Sequence, residues 1–463
     1  MKKKLYYIAI AFLSVMGVSN AQEGTAAAVD DTECRNNLSI YNEHVKVKNF
    51  DAAYEPWKMV YETCPDYHFA NYVYGEYILK HKLKSATGAE RTALVNTLLG
   101  LYDNWGKYFP TKHSTKADRL IDKAMLKSSE DMSTTEELYN DLNTAFREDG
   151  KNFKNTGALF LYFKSLVDLH KEGKQELQTV FDLYDDLSQK IEEINKEVTD
   201  RIAKLLVKED AGTITKAEKS QLDADTQNSE KYGIVANNMD VKLGSLADCE
   251  NLIPLYEKNF DAKQDDLEWV KRAVSRMFNK ECLDSEMFKK LFQRQLAMEP
   301  SANAYVYSAA LKLKEGDKSG ALQDFTKASE LETDPYKKSK ILYKIAASYS
   351  RINKATSYKY AQQSLNFDPS NGNAYLLMAS AVGSSANECG STKFEKLAIN
   401  WKAAELARKA GRVDPSLSYK ASATAKAYND RAPSRTDIFS NNMQGKTVKF
   451  NCWVGGSVKV PNL

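Results

Sequence analysis

The chain predicts an all-α fold, a solenoid of paired helices that carries a long inserted helical hairpin and ends in a small β hairpin. Three observations predict it. A unit of about 34 to 36 residues, with small and bulky side chains at matching places, recurs through residues 302–415. Helix breakers are scarce, 10 Pro and 21 Gly in 463 residues, whereas 26 Tyr and 18 Phe supply bulky packing groups. Dense Lys, Glu and Asp leave each helix a face for water. A chain this long exceeds one compact core and predicts several helical units.

The N-terminus reads as a leader. Lys2–Lys4 form a basic stretch, Leu5–Val18 an apolar one, and Ser19-Asn20-Ala21 a small-x-small cleavage site, so residues 1–21 are expected to be a cleaved signal peptide. Gln22 follows where a lipoprotein would need Cys, so no lipid anchor is indicated. The apolar stretch is short for a membrane span, and no other segment is apolar enough to cross one. The formal charge is +3, and loss of the three leader lysines leaves the mature chain neutral. That balance gives no long-range attraction for nucleic acid or anionic lipid. Residues 22–32 are expected to be a flexible linker.

The N-terminal helical domain is expected over 33–173. Its first hairpin, 34–65, has Ala53, Trp57 and Val60 at spacings of four and three and closes at Pro65. There a small residue lets two helices approach and a bulky one fills the gap beside it. Long aromatic helices follow at Tyr67–Lys82 and Ala89–Tyr108, then a third pair through 117–171. A capping box is expected at Ser133-Thr134-Thr135-Glu136.

Residues 174–245 depart from the repeat. Leu177, Val180, Tyr184, Leu187, Ile191, Ile194, Val198 and Leu205 alternate by three and four, a heptad seam broken only by Arg201. Gly212 breaks the helix, and Thr215-Lys216-Ala217-Glu218 is a capping box opening a return helix. The expectation is a charged hairpin that projects, its seam packed on its own return helix.

Residues 246–436 should form the C-terminal repeat domain. In 302–335, Ala321, Phe325 and Ala328 mark the helix contact, Gly316 ends the first helix, and Pro335 blocks continuation past the second. In 338–369 the contact residues are Ile345, Ala346, Ser357, Ala361 and Ser364. In the third unit they are Met378, Ala379, Ala403, Ala407 and Ala410, with a polar loop inserted at 383–397. These are the positions of a tetratricopeptide (TPR) repeat. The tail, 437–463, alternates Val448, Phe450 and Cys452 with polar residues and can turn at Gly455-Gly456 into a two-stranded hairpin.

Six cysteines in an exported chain predict disulfides. Cys34 opens a helix and Cys64 closes its antiparallel partner, so both lie at one end of that pair. Cys249 and Cys282 repeat the arrangement, and Cys389 is left for Cys452. Each bridge closing about 30 residues should contribute roughly 3–4 kcal/mol in the chain-entropy model. With no C-x-x-C, and no His at ligand spacing from any Cys, a metal or redox site is the weaker reading.

The sequence resembles the TPR proteins exported by Bacteroidota. The residues that carry the likeness are Cys34-Arg35-Asn36-Asn37-Leu38, Cys64-Pro65, Asp248-Cys249, Glu281-Cys282 and Cys452-Trp453. The resemblance spans nearly the whole mature chain. It implies an envelope location and a non-enzymatic scaffold, and it supplies no catalytic residue.

Chemistry is thin elsewhere. His44, His68, His81, His113 and His170 are scattered, with no H-E-x-x-H, nucleophile elbow, phosphate loop or dinucleotide fingerprint. No cofactor and no metal are expected, and a hydrolase is a reading without a motif. Binding remains. In such an array the first helix of each repeat lines a concave groove. Its candidate residues are Asn303, Val306, Ala310, Lys340, Tyr343, Ala347, Arg351, Asn373, Leu376 and Ser380. Lys340 and Arg351 can hold a carboxylate, and Asn303 and Asn373 can bond an extended backbone. The expected role is a periplasmic scaffold for protein partners in an outer-membrane assembly or secretion complex. The alternative is a peptide-binding holdase for unfolded exported clients.

Overall fold

The computed structural model describes residues 31–244 and 246–462. The leader and residues 22–30 of the linker lie outside the described residues. Asp31 and Thr32, read as linker, already belong to the first helix. The chain divides into two compact units, one through Leu126 and one from Lys127.

The first unit holds α1 (Asp31–Lys46), α2 (Phe50–Thr63), α3 (Ala70–Lys82), α4 (Gly88–Tyr108) and most of α5 (Lys116–Ser129). Asn49 opens α2 by accepting from Ala52 N, as a short polar side chain does at a helix start. Ala53, Trp57 and Val60 face inward and are fully buried with Tyr41 and Tyr72. A buried indole N–H needs an acceptor, and Trp57 Nε1 donates to the Asn71 carbonyl at 2.7 Å. Cys34 and Cys64 form a disulfide at the open end of the α1–α2 pair. Between α4 and α5, Arg119 donates to the Pro110 and Ser114 carbonyls, closing the loop from within.

In the second unit α6 (Thr135–Asp149) and α7 (Thr156–Lys171) come first, so the stretch read as one pair is three helices with α5. The capping box of α6 is one residue on from the expected register. Thr134 accepts from Glu137 N and the Glu137 carboxylate returns to Thr134 N. Thr135 lies inside the helix, and the Ser133 hydroxyl has no partner among the described residues. The long hairpin is α8 (Leu177–Asp210) and α9 (Lys216–Gly244), its turn capped by Thr215 and Glu218 as expected. Val180, Leu187, Ile191, Ile194 and Val198 are buried along the seam. Arg201, the misfit, forks onto the Asp225 carboxylate of α9 at 3.0 and 3.1 Å.

The remaining helices are α10 (Cys249–Lys263), α11 (Leu267–Asn279), α12 (Glu286–Met298), α13 (Ala302–Lys314), α14 (Lys318–Leu331), α15 (Pro335–Tyr349), α16 (Lys354–Phe367), α17 (Gly372–Gly383), α18 (Ala386–Cys389), α19 (Lys393–Val413), α20 (Ser418–Asn429) and α21 (Arg435–Ser440). They form the all-α, TPR-like solenoid of paired helices that the sequence predicts. Pro335 does not stop α14. It is the first residue of α15, where its missing N–H costs nothing. The contact strips are fully buried: Ala321, Phe325 and Ala328 in the first repeat, Ala346 and Ala361 in the second, and Ala379, Ala403 and Ala407 in the third. The 383–397 insertion is largely helical, because α18 fills part of it and Thr392 caps an α19 of 21 residues.

The strands β1 (Thr447–Lys449) and β2 (Ser457–Lys459) pair antiparallel with Val448 opposite Val458. Val448, Phe450, Val458 and Val460 pack with Phe394, Ile399 and Trp401 of α19 and close the end of the solenoid. Disulfides join Cys249 to Cys282 and Cys389 to Cys452.

A candidate partner groove

The hairpin α8–α9 does not project. It lies along the repeats because its flanks carry polar groups with partners there. Asp185 receives the buried Arg276 guanidinium of α11 at 2.5 Å, and Asp186 receives Arg272 at 2.9 Å. Tyr232 of α9 donates to the Lys154 carbonyl at 2.7 Å. Gly233 lets α9 touch the 415–417 turn, since a Cβ there would stand 2.0 Å from the Ser416 carbonyl oxygen. Near the hairpin tip Arg412 of α19 binds both Glu209, at 3.3 Å, and Asp210.

Between this hairpin and the first helices of the repeats lies a cavity of about 1140 Å³. Glu192, Asn195 and Lys196 of α8 form one wall, and Tyr336, Lys340, Tyr343 and Lys344 of α15 form the opposite wall. Tyr336, Lys340 and Lys344 are four residues apart, which puts them in a row on one helix face. Arg351 continues the row just beyond the helix.

The carboxylate of Glu192 meets this row. Tyr336 Oη donates to it at 2.7 Å and Lys340 Nζ forms an ion pair with it. Burial pushes the Glu192 carboxyl up, but Lys340, Tyr336 and Lys344 outweigh burial and hold it below the usual glutamate value. Burial, then the Glu192 charge, pushes the Tyr336 phenol well above its ordinary range. Lys344 Nζ donates at 2.6 Å to the neutral Asn303 Oδ1. Arg351 is exposed, with Glu281 3.9 Å away.

Two Asp-Pro-Ser turns also border the cavity, near enough for Asp368 and Asp414 to act on the Tyr336 phenol. Asp368 accepts from the Ser370 hydroxyl at 2.6 Å, and Asp414 from the Ser416 hydroxyl at 2.5 Å and Asn195 Nδ2 at 3.2 Å. Burial, with Asp368 nearby, raises the Asp414 carboxyl above the ordinary aspartate value, although those hydrogen bonds oppose the shift.

Of the residues expected to line the groove, Ala310, Lys340, Tyr343, Ala347, Arg351 and Asn373 border the cavity. Asn303 is exposed on α13 and reaches the row only through Lys344. Ser380 is on α17 and is not part of the wall. Val306 and Leu376 are not groove residues. Val306 is fully buried among Ala302, Ala309 and Phe325, and Leu376 is buried against Ala404 and Ala407. Val306 is four residues from Ala310 and Leu376 three from Asn373, and the resulting rotation of about 40–60° about the helix axis turns each to the core instead. Sequence reasoning missed Tyr336, Lys344 and the whole α8 wall. Tyr336 and Lys344 had a signal, the four-residue spacing through Lys340; Glu192 had none. Among the described residues, no group of three or more His, Cys, Asp or Glu side chains is placed to hold a metal ion, and no helix is long and apolar enough to cross a membrane.

No family model matches the chain, and no curated protein matches it in sequence. Among solved structures it is similar to yeast Tom70, at 12% identity over 89% of this chain and 99% of that one, with a TM-score of 0.23. It is similar also to the P58(IPK) TPR domain, at 12% identity over 87% of this chain and 100% of that one, TM-score 0.21. A third likeness is to the APC/C hetero-tetramer Cut9–Hcn1, at 12% identity over 90% and 88%, TM-score 0.27. Similarities at scores this low carry no weight for function.

Proposed function

We propose that the protein is a non-enzymatic scaffold that holds protein partners, and that it works after export, in an oxidising cell-envelope compartment. The cavity walled by α8 and α15 is the observation that carries the binding role. It offers a row of cations on a rigid helix, a half-buried tyrosine and bordering polar groups, which suit a polypeptide segment. The leader and the three disulfides support the compartment, since such bridges persist where thiols are oxidised. The envelope role, in an outer-membrane assembly or secretion complex, rests on the sequence resemblance.

The holdase reading draws on the same cavity. Its breadth and mixed lining fit a range of extended clients better than one tight ligand.

Lys344 and Arg351 provide the cleanest test, because neither is committed to a close ion pair within the wall. In the double variant Lys344→Glu/Arg351→Glu, helicity by circular dichroism should match the wild type. Partners recovered by cross-linking and affinity purification should fall about tenfold or more, as expected for reversing two contacting charges. Undiminished recovery by the folded variant would move binding to another surface.

A further inference from the structure

The groove is already occupied at one point by a carboxylate of the chain itself. Glu192 sits between Tyr336 Oη and Lys340 Nζ, with Lys344 one turn further along α15. The contact is polar throughout. Lys196, on the same face of α8, stands 5.0 Å from the Tyr336 ring centre, and Lys340 stands 5.4 Å from it. The buried apolar residues of α15, Ile341, Leu342, Ile345 and Ala346, pack in clusters with α13, α14, α16 and α17. Half-exposed ion pairs of this kind are individually weak and exchange readily. On the lysine side two lysines face the one Glu192 carboxylate, because the partners of Lys344 are Asn303 and a tyrosine ring 5.4 Å away, both uncharged, whereas Asp368 and Asp414 act on the Tyr336 side. The seat therefore has cationic capacity left after Glu192 is bound.

We propose that Tyr336, Lys340 and Lys344 form a seat for a carboxylate of a bound protein segment, and that Glu192 is its internal competitor. The partner is then an extended, acidic polypeptide stretch. Its carboxylate takes the Tyr336 hydroxyl and the Lys340 ammonium from Glu192, while Lys344 receives a second negative group. Displacing Glu192 loosens α8 from α15 but leaves α8 held through Asp185, Asp186 and Asp210. The seat is thus partly closed at rest and selects for ligands that out-compete one glutamate. This rests on the groove reading above and adds the chemistry of the ligand to it.

The test uses the full mature protein and two short fluorescein-labelled peptides, one rich in glutamate and its counterpart with glutamine in place of glutamate, read by fluorescence anisotropy. Wild type should prefer the glutamate peptide. Glu192→Gln, which keeps an acceptor for Tyr336 and removes the charge, should bind it about two- to fivefold more tightly. Its affinity for the glutamine peptide should not change, and Lys340→Glu should lose the preference. Added salt should shrink the gain, because it screens both competitors. If wild type binds the glutamate peptide and Lys340→Glu abolishes this, but Glu192→Gln gains nothing, the internal competitor is overturned and the groove stands. If no folded variant binds either peptide, the groove reading fails and the seat fails with it.

Discussion

Trp57 of α2 has no exposed surface, and the helix that crosses it is shaped to fit. Gly75 of α3 lies so close that a Cβ there would stand 2.5 Å from Trp57 Nε1 and 2.6 Å from Leu101 Cδ1. Neither atom can retreat, because the indole is tied to Asn71 and Leu101 is itself buried without exposed surface. Gly75→Ala gains helix propensity, about 1 kcal/mol, but overpacks a filled site at a cost of about 1–3 kcal/mol. The second effect should win here, since the contacts are well below van der Waals distance. Urea unfolding of the first unit should show a lower midpoint with an unchanged slope; a midpoint equal to or above that of wild type would show that α3 can shift. At this scale Ala53, Trp57 and Val60 were legible in the sequence through their spacing, whereas Gly75 was not, because nothing local marks which glycine meets the indole.

Among elements, the long hairpin shows both what a sequence displays and what it hides. The α8 seam was visible because apolar residues recurring at three- and four-residue steps fit one face of a helix and little else. The return stripe of α9 is thin in apolar residues alone, yet Leu222, Asp225, Ser229, Tyr232, Val235, Met239 and Leu243 are all buried. Its polar members hide it: Asp225 is there for Arg201, and Ser229 donates to Asn195 at 2.7 Å. The fold-back onto the repeats was hidden for a similar reason. Glu192 and Lys340 are far apart in sequence, and among 65 Lys and Arg no pattern selects one partner. The hairpin turn carries a pH signature. Glu218 is held down to about 2 by Lys208, by the Thr215 backbone N–H and by the Thr215 hydroxyl. Its folded value lies below the ordinary glutamate value of 4.5, so its contribution is present above that value and is lost as pH falls toward 2. Glu218→Gln should lower the thermal midpoint at about pH 7. The gap from wild type should close as pH falls from 4.5 to about 2 and should vanish below. A gap independent of pH would assign the effect to the shape of the cap, not to its charge.

For the whole molecule, the division at Leu126 and Lys127 falls inside α5, a place no composition shift marks. The sequence placed its own boundary at 173, after α7, where the repeat pattern changes. The first unit has a hydrophobic cluster of its own, in which Tyr41, Trp57, Tyr72, Leu98 and Trp105 come together with Leu126 packed against them. The disulfides divide the same way, Cys34–Cys64 in the first unit and the other two in the second. A unit with its own core and its own covalent closure should fold alone. Residues 22–129 and 130–463, expressed separately under oxidising conditions and cut after α5 to keep that helix whole, should each show helical circular dichroism and a cooperative thermal transition. Reduction should lower the midpoint of the short piece through one bridge, by a loss of about 3 kcal/mol in the chain-entropy model. The intact chain should then melt in two steps, and reducing agent should move both. A short piece that is unstructured while the intact chain melts in one step would mean that its core is completed by residues beyond α5, and the two-unit description would have to be withdrawn.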